Sequence, residues 1–347
     1  MTRRRLALAL DIGGTKLAAA VVDESGAIVA AHRVRNPQGT DGDVLFEALT
    51  TAADTALSSA GVGAGDARLV PAIGVGTAAP LDLDAGTVSP VNIPAWRAYP
   101  LRDRLIERYQ MDVGLIGDAV AVAVGEHWRG AARGHANVLG MVVSTGVGGG
   151  FVLNGRVVVG ATGNAGHIGH ASVDPNGPDC VCGGVGCLEA IASGTSLAAW
   201  AVQHGFGAAN GTANGTVNGT ADGTADGTVN GTAPAADEIA EAAVAGDPIA
   251  LAAFHRAGAA LGLAIAGAVT LLDLDLVVIG GGVAAAGPLL FDPIAAAYSR
   301  YAALGFAKRP RVVPAMLGGT AGLIGAAAVA MDPPAYWPTE AGRFVRT

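Results

Sequence analysis

Two glycine-rich turns, far apart in the chain, each carry a hydroxyl residue between two apolar stretches. The first turn runs from Asp11 to Lys16 (DIGGTK) and the second turn runs from Ser144 to Gly150 (STGVGGG). Turns of this kind direct backbone N–H groups at an anion and hold phosphates in many proteins. Two matched turns facing one polyanion predict a nucleotide-dependent kinase. The alternative is a pair of ordinary hairpin turns.

A cluster of soft metal ligands lies in the middle of the chain. Its three cysteines, Cys180, Cys182 and Cys187, fall within eight residues, and His170 precedes them by ten. Three thiolates and one imidazole complete the tetrahedral shell of a structural zinc ion, which leaves no position for a reactive water. The sequence therefore predicts a zinc that shapes a loop and takes no part in catalysis. The competing interpretation is three buried thiols.

Asp118 stands where a short apolar strand, residues 113–116, gives way to a helix predicted from Ala119. Polar residues at such strand ends often face a ligand crevice. Transfer of a phosphoryl group to an alcohol needs one group that accepts the hydroxyl proton, and a carboxylate suits that role. Asp118 therefore suits that role, with capping of the following helix as its structural alternative.

Alternating elements must position these residues. The Asn154-Gly155 pair is a strong hairpin signal, and Asp247-Pro248 is typical of a helix start. Asp237 is predicted to cap a helix, and the residues after Asp332 are predicted to form a surface extension. The predicted elements are hairpin units over 6–34 and 138–160, helices over 43–60 and 101–109, strands over 70–75, 113–116 and 276–279, and a long helix after Pro248.

Composition limits the function classes. A chain of 347 residues exceeds the usual size of one hydrophobic core, which predicts two domains. The net charge of −8 argues against nucleic acid as a partner. The uncharged stretch 257–272 is too short to span a bilayer and predicts a buried helix. With only three cysteines, the expected location is the cytoplasm, away from membranes.

Residues 208–236 form the one low-complexity segment. Asn/Asp-Gly-Thr recurs six times at a spacing of four, and the run lacks large apolar side chains. Such a segment predicts an exposed flexible insertion. The triplet also matches an N-glycosylation acceptor, which matters only in a secreted protein. Its role is left open.

Together these motifs resemble the ROK family of bacterial sugar kinases and repressors, within the actin-like ATPase superfamily. The resemblance covers nearly the whole chain, and its most specific element is the zinc signature from Cys180 to Glu189. It implies an α/β, two-lobed actin-like ATPase (ribonuclease H-like) fold with a central cleft and a zinc-stabilised loop. We expect a small α/β domain of residues 1–118 plus 320–347. The large α/β domain is expected at 119–319, with the zinc loop at 167–189.

The resemblance also implies roles for individual residues. Asp118 is the expected catalytic base, and the implied cofactors are ATP, Mg²⁺ and a structural Zn²⁺. The expected ATP and Mg²⁺ residues are Asp11, Gly13, Gly14, Thr15, Lys16, Thr145, Gly146, Gly148, Gly280, Gly281 and Gly282. The expected substrate residues are Asn92, Gly117, His167, His170 and Glu189, and the expected zinc ligands are His170, Cys180, Cys182 and Cys187.

Two positions depart from the pattern of the family. Gly117 stands where the family usually has Asn, and His167 stands where it usually has a sugar-binding Glu. The acceptor is therefore left open among glucose, N-acetylmannosamine and a cyclitol-type intermediate that lacks an anomeric end. Two other functions stay open: a non-catalytic sugar sensor and a kinase that uses polyphosphate. Because the first turn begins at Asp11, with no room before it for a helix-turn-helix domain, the enzyme branch is favoured, and a homodimer is expected.

Overall fold

The computed structural model describes residues 4–37, 39, 41–207 and 234–337. Most of the predicted insertion and the end of the predicted tail lie outside the described residues. The strands are β1 Leu6–Ile12, β2 Lys16–Asp23, β3 Ile28–Arg35, β4 Leu69–Thr77, β5 Leu81–Asp82, β6 Thr87–Val88, β7 Asp112–Gly117, β8 Val138–Val143, β9 Val147–Leu153, β10 Arg156–Val158, β11 Leu276–Gly280 and β12 Arg311–Pro314. The α-helices are α1 Gly42–Ser59, α2 Leu101–Tyr109, α3 Asp118–Arg129, α4 Leu188–Ala192, α5 Gly194–Gln203, α6 Ala236–Val244, α7 Pro248–Leu272, α8 Pro288–Tyr301, α9 Ala321–Met331 and α10 Pro333–Tyr336.

Residue contacts divide the chain into two compact units. Unit 1 comprises Met1–Gly140, Gly150–Gly166 and Ala315–Thr347, and unit 2 comprises Met141–Gly149 and His167–Pro314. The helix α3 belongs to unit 1, whereas the predicted segments place it in the larger domain. Its packing against α9 explains this assignment, because α9 also belongs to unit 1.

The two five-stranded sheets have equivalent strand orders: in each, three consecutive strands lie side by side and two later strands follow the first of them. The first sheet runs β3-β2-β1-β4-β7, and the second runs β10-β9-β8-β11-β12. In the first sheet, β1 and β2 are antiparallel, while β1, β4 and β7 are parallel. Both predicted hairpin units are confirmed, and each opens its own sheet. The α/β class is confirmed, and both described sheets mix parallel and antiparallel pairs.

The strand β1 is buried on both faces, and it presents large side chains to one face and small side chains to the other. Leu8 and Leu10 belong to one core cluster with residues of α1. Ala7 and Ala9 belong to a second cluster with residues of α9. Because side chains alternate along a strand, the small alanines let α9 approach one face of the sheet closely.

Glycines allow the same helix, α9, to contact its neighbours backbone to backbone. A Cβ atom at Gly325 would overlap the carbonyl oxygen of Ala121 in α3. A Cβ atom at Gly74 of β4 would overlap the carbonyl oxygen of Ala326. These contacts bring α9 directly against α3 and β4, and α9 also packs against β1, the strand that carries Asp11.

The helix α7 is the long helix of unit 2. The carboxylate of Asp247 accepts from the N–H groups of Ile249 and Ala250 at 2.9 and 2.8 Å, and Pro248 occupies the first helical position, as predicted. Its length and apolar composition would let it cross a membrane, but half of its most apolar window is buried, and it packs against α8 and α4. It is therefore a core helix.

The predicted cap of α6 and the predicted surface extension after Asp332 are wrong for the residues that the structure describes. The helix α6 has Ala235 as its N-cap, and Asp237 lies within its first turn. Residues 333–337 do not extend over the surface, because Tyr336 and Trp337 are buried. The hydroxyl of Tyr336 lies 3.3 Å from Nδ1 of His127 on α3.

Candidate active site

The first turn connects β1 to β2 and is held by Asn36, which follows β3. The N–H of Gly13 donates to the carbonyl of Lys16 at 3.0 Å. The side-chain amide of Asn36 donates to the carbonyl of Gly13 at 3.0 Å, and its backbone N–H donates to the carbonyl of Thr15 at 3.0 Å. Asn36 is only 3% exposed. The turn is therefore fixed from behind, while Thr15 and Lys16 are exposed.

Asn92 lies against this turn. A Cβ atom at Gly14 would lie 2.5 Å from Nδ2 of Asn92, so a larger residue there would displace that side chain from the turn. The structure thus brings a predicted substrate residue together with a predicted phosphate residue of the same unit.

Asp11 and Asp118 interact electrostatically. Burial, the largest cause, and the negative charge of Asp118 together raise the pKa of the Asp11 carboxyl to about 6, and Arg33 opposes the increase. The register pairs Asp11 with Gly76 on β4 and pairs Gly76 with Ile116 on β7. Asp11 and the end of β7 therefore stand at one level of the sheet, two strand spacings or roughly 10 Å apart.

Close packing and an anchored cation complete the surroundings of Asp11. A Cβ atom at Gly322, in the first turn of α9, would lie 3.2 Å from Oδ2 of Asp11. Arg33 donates from Nη2 to the carbonyl of Gly319 at 3.2 Å, just before α9. These neighbours explain how Asp11 is half-buried and yet lies near a positive charge.

Asp118 is the first residue of α3, and its side chain is exposed. Its Oδ1 accepts from the N–H of Ala119 at 2.7 Å. Gly117 is the N-cap of α3 with φ −62° and ψ 146°, an extended conformation that any residue adopts. A Cβ atom there would make ordinary contact with Val120, at 3.4 Å. The backbone therefore does not require glycine where the family pattern has Asn.

The second turn, in unit 2, is held by groups from α4 and α5. The N–H of Val147 donates to Oε2 of Glu189 at 2.8 Å. A Cβ atom at Gly146 would lie 2.6 Å from the same oxygen, so glycine is required for this approach. The hydroxyl of Thr195 donates to the carbonyl of Thr145 at 3.0 Å. The second turn is thus fixed by three side-chain and backbone donors and acceptors outside it, including the N–H of Gly194 on the carbonyl of Ser144 at 2.7 Å.

The third glycine motif lies beside the strand that enters the second turn. Gly281 has φ +99°, and a Cβ atom on it would overlap the carbonyl oxygen of Val143. Gly280 ends β11, and a Cβ atom at Gly282 would lie 3.7 Å from Oγ of Ser144. The structure therefore brings together two motifs that are far apart in the sequence.

The predicted metal ligands converge on one point. The ligand atoms of His170, Cys180, Cys182 and Cys187 all lie within 4.8 Å of one another. The Sγ atoms of Cys182 and Cys187 are 3.6 Å apart, and Sγ of Cys180 is 3.8 Å from Nδ1 of His170. Two thiolates bonded to one tetrahedral zinc at about 2.3 Å lie about 3.8 Å from each other. Both the donor chemistry and the spacing therefore fit zinc.

Glycines allow the backbone to adopt this tight loop. Gly183 and Gly186 have φ of +88° and +62°, and a Cβ atom at Gly186 would overlap the carbonyl oxygen of Asp174. Cys187 is also the N-cap of α4, so the loop leads directly into the helix that carries Glu189. The ring of His167 lies near-parallel to that of His170, with centroids 6.2 Å apart.

The comparison with known families agrees with this arrangement. A model of the ROK family matches residues 7–332. The chain belongs to the ROK family. It is 35% identical to the glucokinase of Streptomyces coelicolor over 330 residues, which cover 94% of this chain and 98% of that enzyme. It is 36% identical to the N-acetylmannosamine kinase of Yersinia pseudotuberculosis over 199 residues, which cover 55% of this chain and 62% of that enzyme.

A solved ROK structure shows the same fold. The ROK glucokinase of Streptomyces griseus in complex with glucose and AMPPNP superimposes with a TM-score of 0.74 at 35% identity. The match covers 94% of this chain and 99% of that one. The fold is therefore that of the ROK sugar kinases, whose superfamily is that of the actin-like ATPases.

Each unit of this ROK chain groups its own subset of the predicted residues. Unit 1 holds Asp11, Gly13, Gly14, Thr15, Lys16, Asn92, Gly117 and Asp118, and unit 2 holds Thr145, Gly146, Gly148, His167, His170, the three cysteines, Glu189 and Gly280–Gly282. The sequence interpretation missed Asn36, Arg33 and Thr195. No motif or spacing marks them, because each acts on a turn that is distant in sequence.

Proposed function

We propose that this ROK protein is an ATP-dependent kinase that phosphorylates a hydroxyl group of a hexose or hexose-like substrate. The observation that carries the proposal is the pair Asp11 and Asp118, whose charges repel each other at the carboxyl ends of β1 and β7. Such a pair suits a site where one carboxylate meets a cation and the other takes a proton. The similarity to glucokinases over nearly the full length supports it.

Asp11 fits the role of a cation partner. The raised pKa of its carboxyl shows that the ionised form lacks compensating positive charge, despite the nearby Arg33. A carboxylate in that condition favours a hard divalent cation such as Mg²⁺, directly or through water. Bound with ATP, Mg²⁺ would supply positive charge against the charge that develops on the transferring phosphoryl group.

The chain's own groups would hold the phosphates and the nucleotide. Thr15 follows Gly14, Thr145 precedes Gly146, and both threonines are exposed. Their hydroxyls and the adjacent N–H groups would donate to phosphate oxygens. Lys16 would add a positive charge at the first turn. Gly280, Gly281 and Gly282 would let the adenosine approach the backbone.

Asp118 would act as the general base. The acceptor hydroxyl loses its proton to the Asp118 carboxylate, its oxygen forms a bond to the γ-phosphorus, and the bond from that phosphorus to the bridging oxygen breaks as ADP leaves. The exposure of the Asp118 side chain gives a substrate access to it. Its bond to the N–H of Ala119 holds Oδ1 in place.

Asn92, Gly117, His167, His170 and Glu189 are the proposed contacts to the acceptor. A hydrogen bond to a charged partner contributes roughly 1.5 to 3 kcal/mol. His167 in place of the usual Glu would therefore weaken binding of an unchanged sugar about ten- to a hundredfold. This favours an acceptor without an ordinary anomeric end, such as a cyclitol. Glucose and N-acetylmannosamine stay candidates, because His167 can also donate or accept a hydrogen bond.

The proposed zinc ligands are His170, Cys180, Cys182 and Cys187, whose spacing suits a closed tetrahedral shell. Bound zinc would stabilise the loop that leads into α4. It leaves the phosphoryl transfer to the residues described above. The proposal also includes a cytoplasmic location and a homodimeric state. Size-exclusion chromatography with light scattering would check the homodimer.

A kinase panel tests the function. ATP with Mg²⁺ is offered hexoses, N-acetylhexosamines and cyclitols, and parallel reactions replace ATP by polyphosphate. We expect ATP consumption that depends on one acceptor class, and a strong preference for glucose would remove the cyclitol proposal. Tight acceptor binding without consumption of either donor would contradict the kinase and indicate a sugar sensor, which the departures at Gly117 and His167 favour.

Asp118→Asn is the matched variant. The amide oxygen of Asn retains the bond to the N–H of Ala119, and the position is exposed, so the fold should be unchanged. Asn accepts no proton at neutral pH, so turnover should fall to background. Full activity of Asp118→Asn would contradict its role as the base.

A further inference from the structure

The segment formed by α4 and α5 contacts the second turn at four consecutive residues, Ser144 to Val147. The N–H of Gly194 donates to the carbonyl of Ser144 at 2.7 Å, and the hydroxyl of Thr195 donates to the carbonyl of Thr145 at 3.0 Å. Oε2 of Glu189 lies beside Gly146 and accepts from Val147. From this geometry we propose that Thr195 is a positioning residue that sets the affinity for ATP. The inference rests on the proposed function, in which the second turn binds phosphate.

The hydroxyl of Thr195 orients one particular peptide group. In a planar trans peptide, the C=O of one residue and the N–H of the next point in opposite directions. Because Thr195 holds the carbonyl of Thr145, the N–H of Gly146 is directed away from α5. That N–H is one of the donors the second turn would offer to a phosphate. Without the bond, the peptide can rotate and the donor loses its fixed direction.

The other contacts on the second turn do not replace this one. The N–H of Ser144 donates to the carbonyl of Gly146 at 2.9 Å within the turn, and Glu189 engages Val147. These two bonds act on the Val143–Ser144 and Gly146–Val147 peptides, and the N–H of Gly194 acts on the Ser144–Thr145 peptide through the carbonyl of Ser144. Thr195 is therefore the contact that acts on the Thr145–Gly146 peptide itself.

A purely structural role for Thr195 is poorly supported. The helix α5 is capped by Ser193, whose Oγ accepts from the N–H of Ser196 at 3.1 Å. Thr195 lies in the first turn of the helix, and its side chain is exposed. Removing its hydroxyl would therefore neither uncap α5 nor leave a buried cavity. The bond to Thr145 is the structural use of the hydroxyl that the contacts show.

Two substitutions separate the hydroxyl from the shape of the side chain. Thr195→Val keeps the β-branched shape and removes the donor, whereas Thr195→Ser keeps the donor. Thr55→Val is the matched control, because the hydroxyl of Thr55 also donates to a backbone carbonyl, that of Thr51 on α1, at 2.7 Å. Full-length proteins are compared by steady-state kinetics with ATP and acceptor varied in turn, and by calorimetric titration with AMPPNP.

We expect Thr195→Val to raise the KM for ATP and the Kd for AMPPNP about three- to tenfold, the effect of one neutral hydrogen bond. The KM for the acceptor and the melting temperature should stay at their wild-type values. Thr195→Ser and Thr55→Val should match the wild-type protein in ATP affinity. This pattern would support the positioning role.

The failures are distinguishable. If the wild-type protein is active and Thr195→Val binds ATP equally well, the role of Thr195 is wrong and the proposed function stands. If Thr195→Val and Thr195→Ser are equally impaired, the hydroxyl is not the cause and the inference is also wrong. If the wild-type protein neither consumes ATP with any acceptor nor binds AMPPNP, the proposed function fails, and the inference fails with it.

Discussion

The carboxylate of Glu189 accepts a hydrogen bond from the backbone N–H of Val147 at 2.8 Å. Glu189 is a proposed contact to the acceptor, yet this oxygen is committed to the turn proposed for phosphate. It also stands two residues after Cys187, the last proposed zinc ligand. One side chain therefore connects the metal loop to the second turn within unit 2.

Two substitutions of Glu189 should separate its two roles. Glu189→Gln keeps an amide oxygen for the N–H of Val147 and loses the charge, so we expect acceptor affinity to fall about five- to tenfold with little change for ATP. Glu189→Ala removes both contacts and should weaken the binding of both ATP and the acceptor. Steady-state KM values measure this, with Glu241→Ala, an exposed acid on α6, as the control. An unchanged ATP KM in Glu189→Ala would show that the bond to Val147 does not support nucleotide binding.

The burial of Asp11 should cost stability. Above pH 6 its carboxylate is ionised in a half-buried position, repelled by Asp118. Asp11→Asn has a similar shape and no charge, so at pH 7.5 it should raise the free energy of unfolding by about 1 to 3 kcal/mol. The same variant should lose kinase activity, since Asn binds Mg²⁺ poorly. Denaturant unfolding and the kinase assay measure the two effects.

The stability gain should depend on pH with a defined sign. The folded-state pKa of Asp11, about 6, lies above its model value of 3.8, so the folded protein binds the proton more tightly. The contribution of Asp11 to stability is therefore most favourable below pH 4 and is lost as pH rises through 6. The advantage of Asp11→Asn should shrink between pH 6 and pH 4. An equal advantage at both pH values would contradict the raised pKa.

Local signals predicted the elements well. Asn154 and Gly155 take φ of +52° and +72° in the tight turn that the pair predicts. The start of α7 follows from Asp247 and Pro248, since a cap and its N–H partners are neighbours in sequence. The error at Asp237 has the same local scale: the N-cap is Ala235, which offers no capping side chain, and Glu238 in the first turn accepts from the N–H of Ala235 at 3.4 Å.

The supports of the site could not be predicted in this way. Asn36 bonds to Gly13, 23 residues away, and Thr195 bonds to Thr145, 50 residues away. Such partners are set by which loops the fold brings together, and no periodicity records that. Raised pKa values share this origin, since the one at Asp11 depends on burial by α9 and on Asp118.

The metal proposal predicts about one equivalent of zinc in protein purified without added metal. Cys187→Ser should lose the ion and lower the melting temperature, because ligand binding and loop folding are coupled. Ser172→Ala is the control: it removes the bond from Ser172 to the carbonyl of Val185 at 2.8 Å and keeps all four ligands. Less than about half an equivalent in the wild-type protein would contradict the zinc site.

The departure at Gly117 can be reversed. Its extended backbone and the 3.4 Å spacing to Val120 leave room for Asn, which is also a good N-cap for α3. We expect Gly117→Asn to raise the melting temperature by about 1 to 2 °C. By contrast, Gly325→Ala should lower it, because the added Cβ atom would overlap the carbonyl oxygen of Ala121.

The kinetics of Gly117→Asn then test the acceptor class. If the acceptor is an ordinary hexose, the added amide gains a hydrogen bond to it, and the acceptor KM should fall about three- to tenfold. If the site is adapted to another polyol, Asn should leave that KM unchanged or raise it, and glucose should become the better substrate. A Gly117→Asn protein less stable than the wild type would contradict the steric argument, since it would show that this position needs glycine after all.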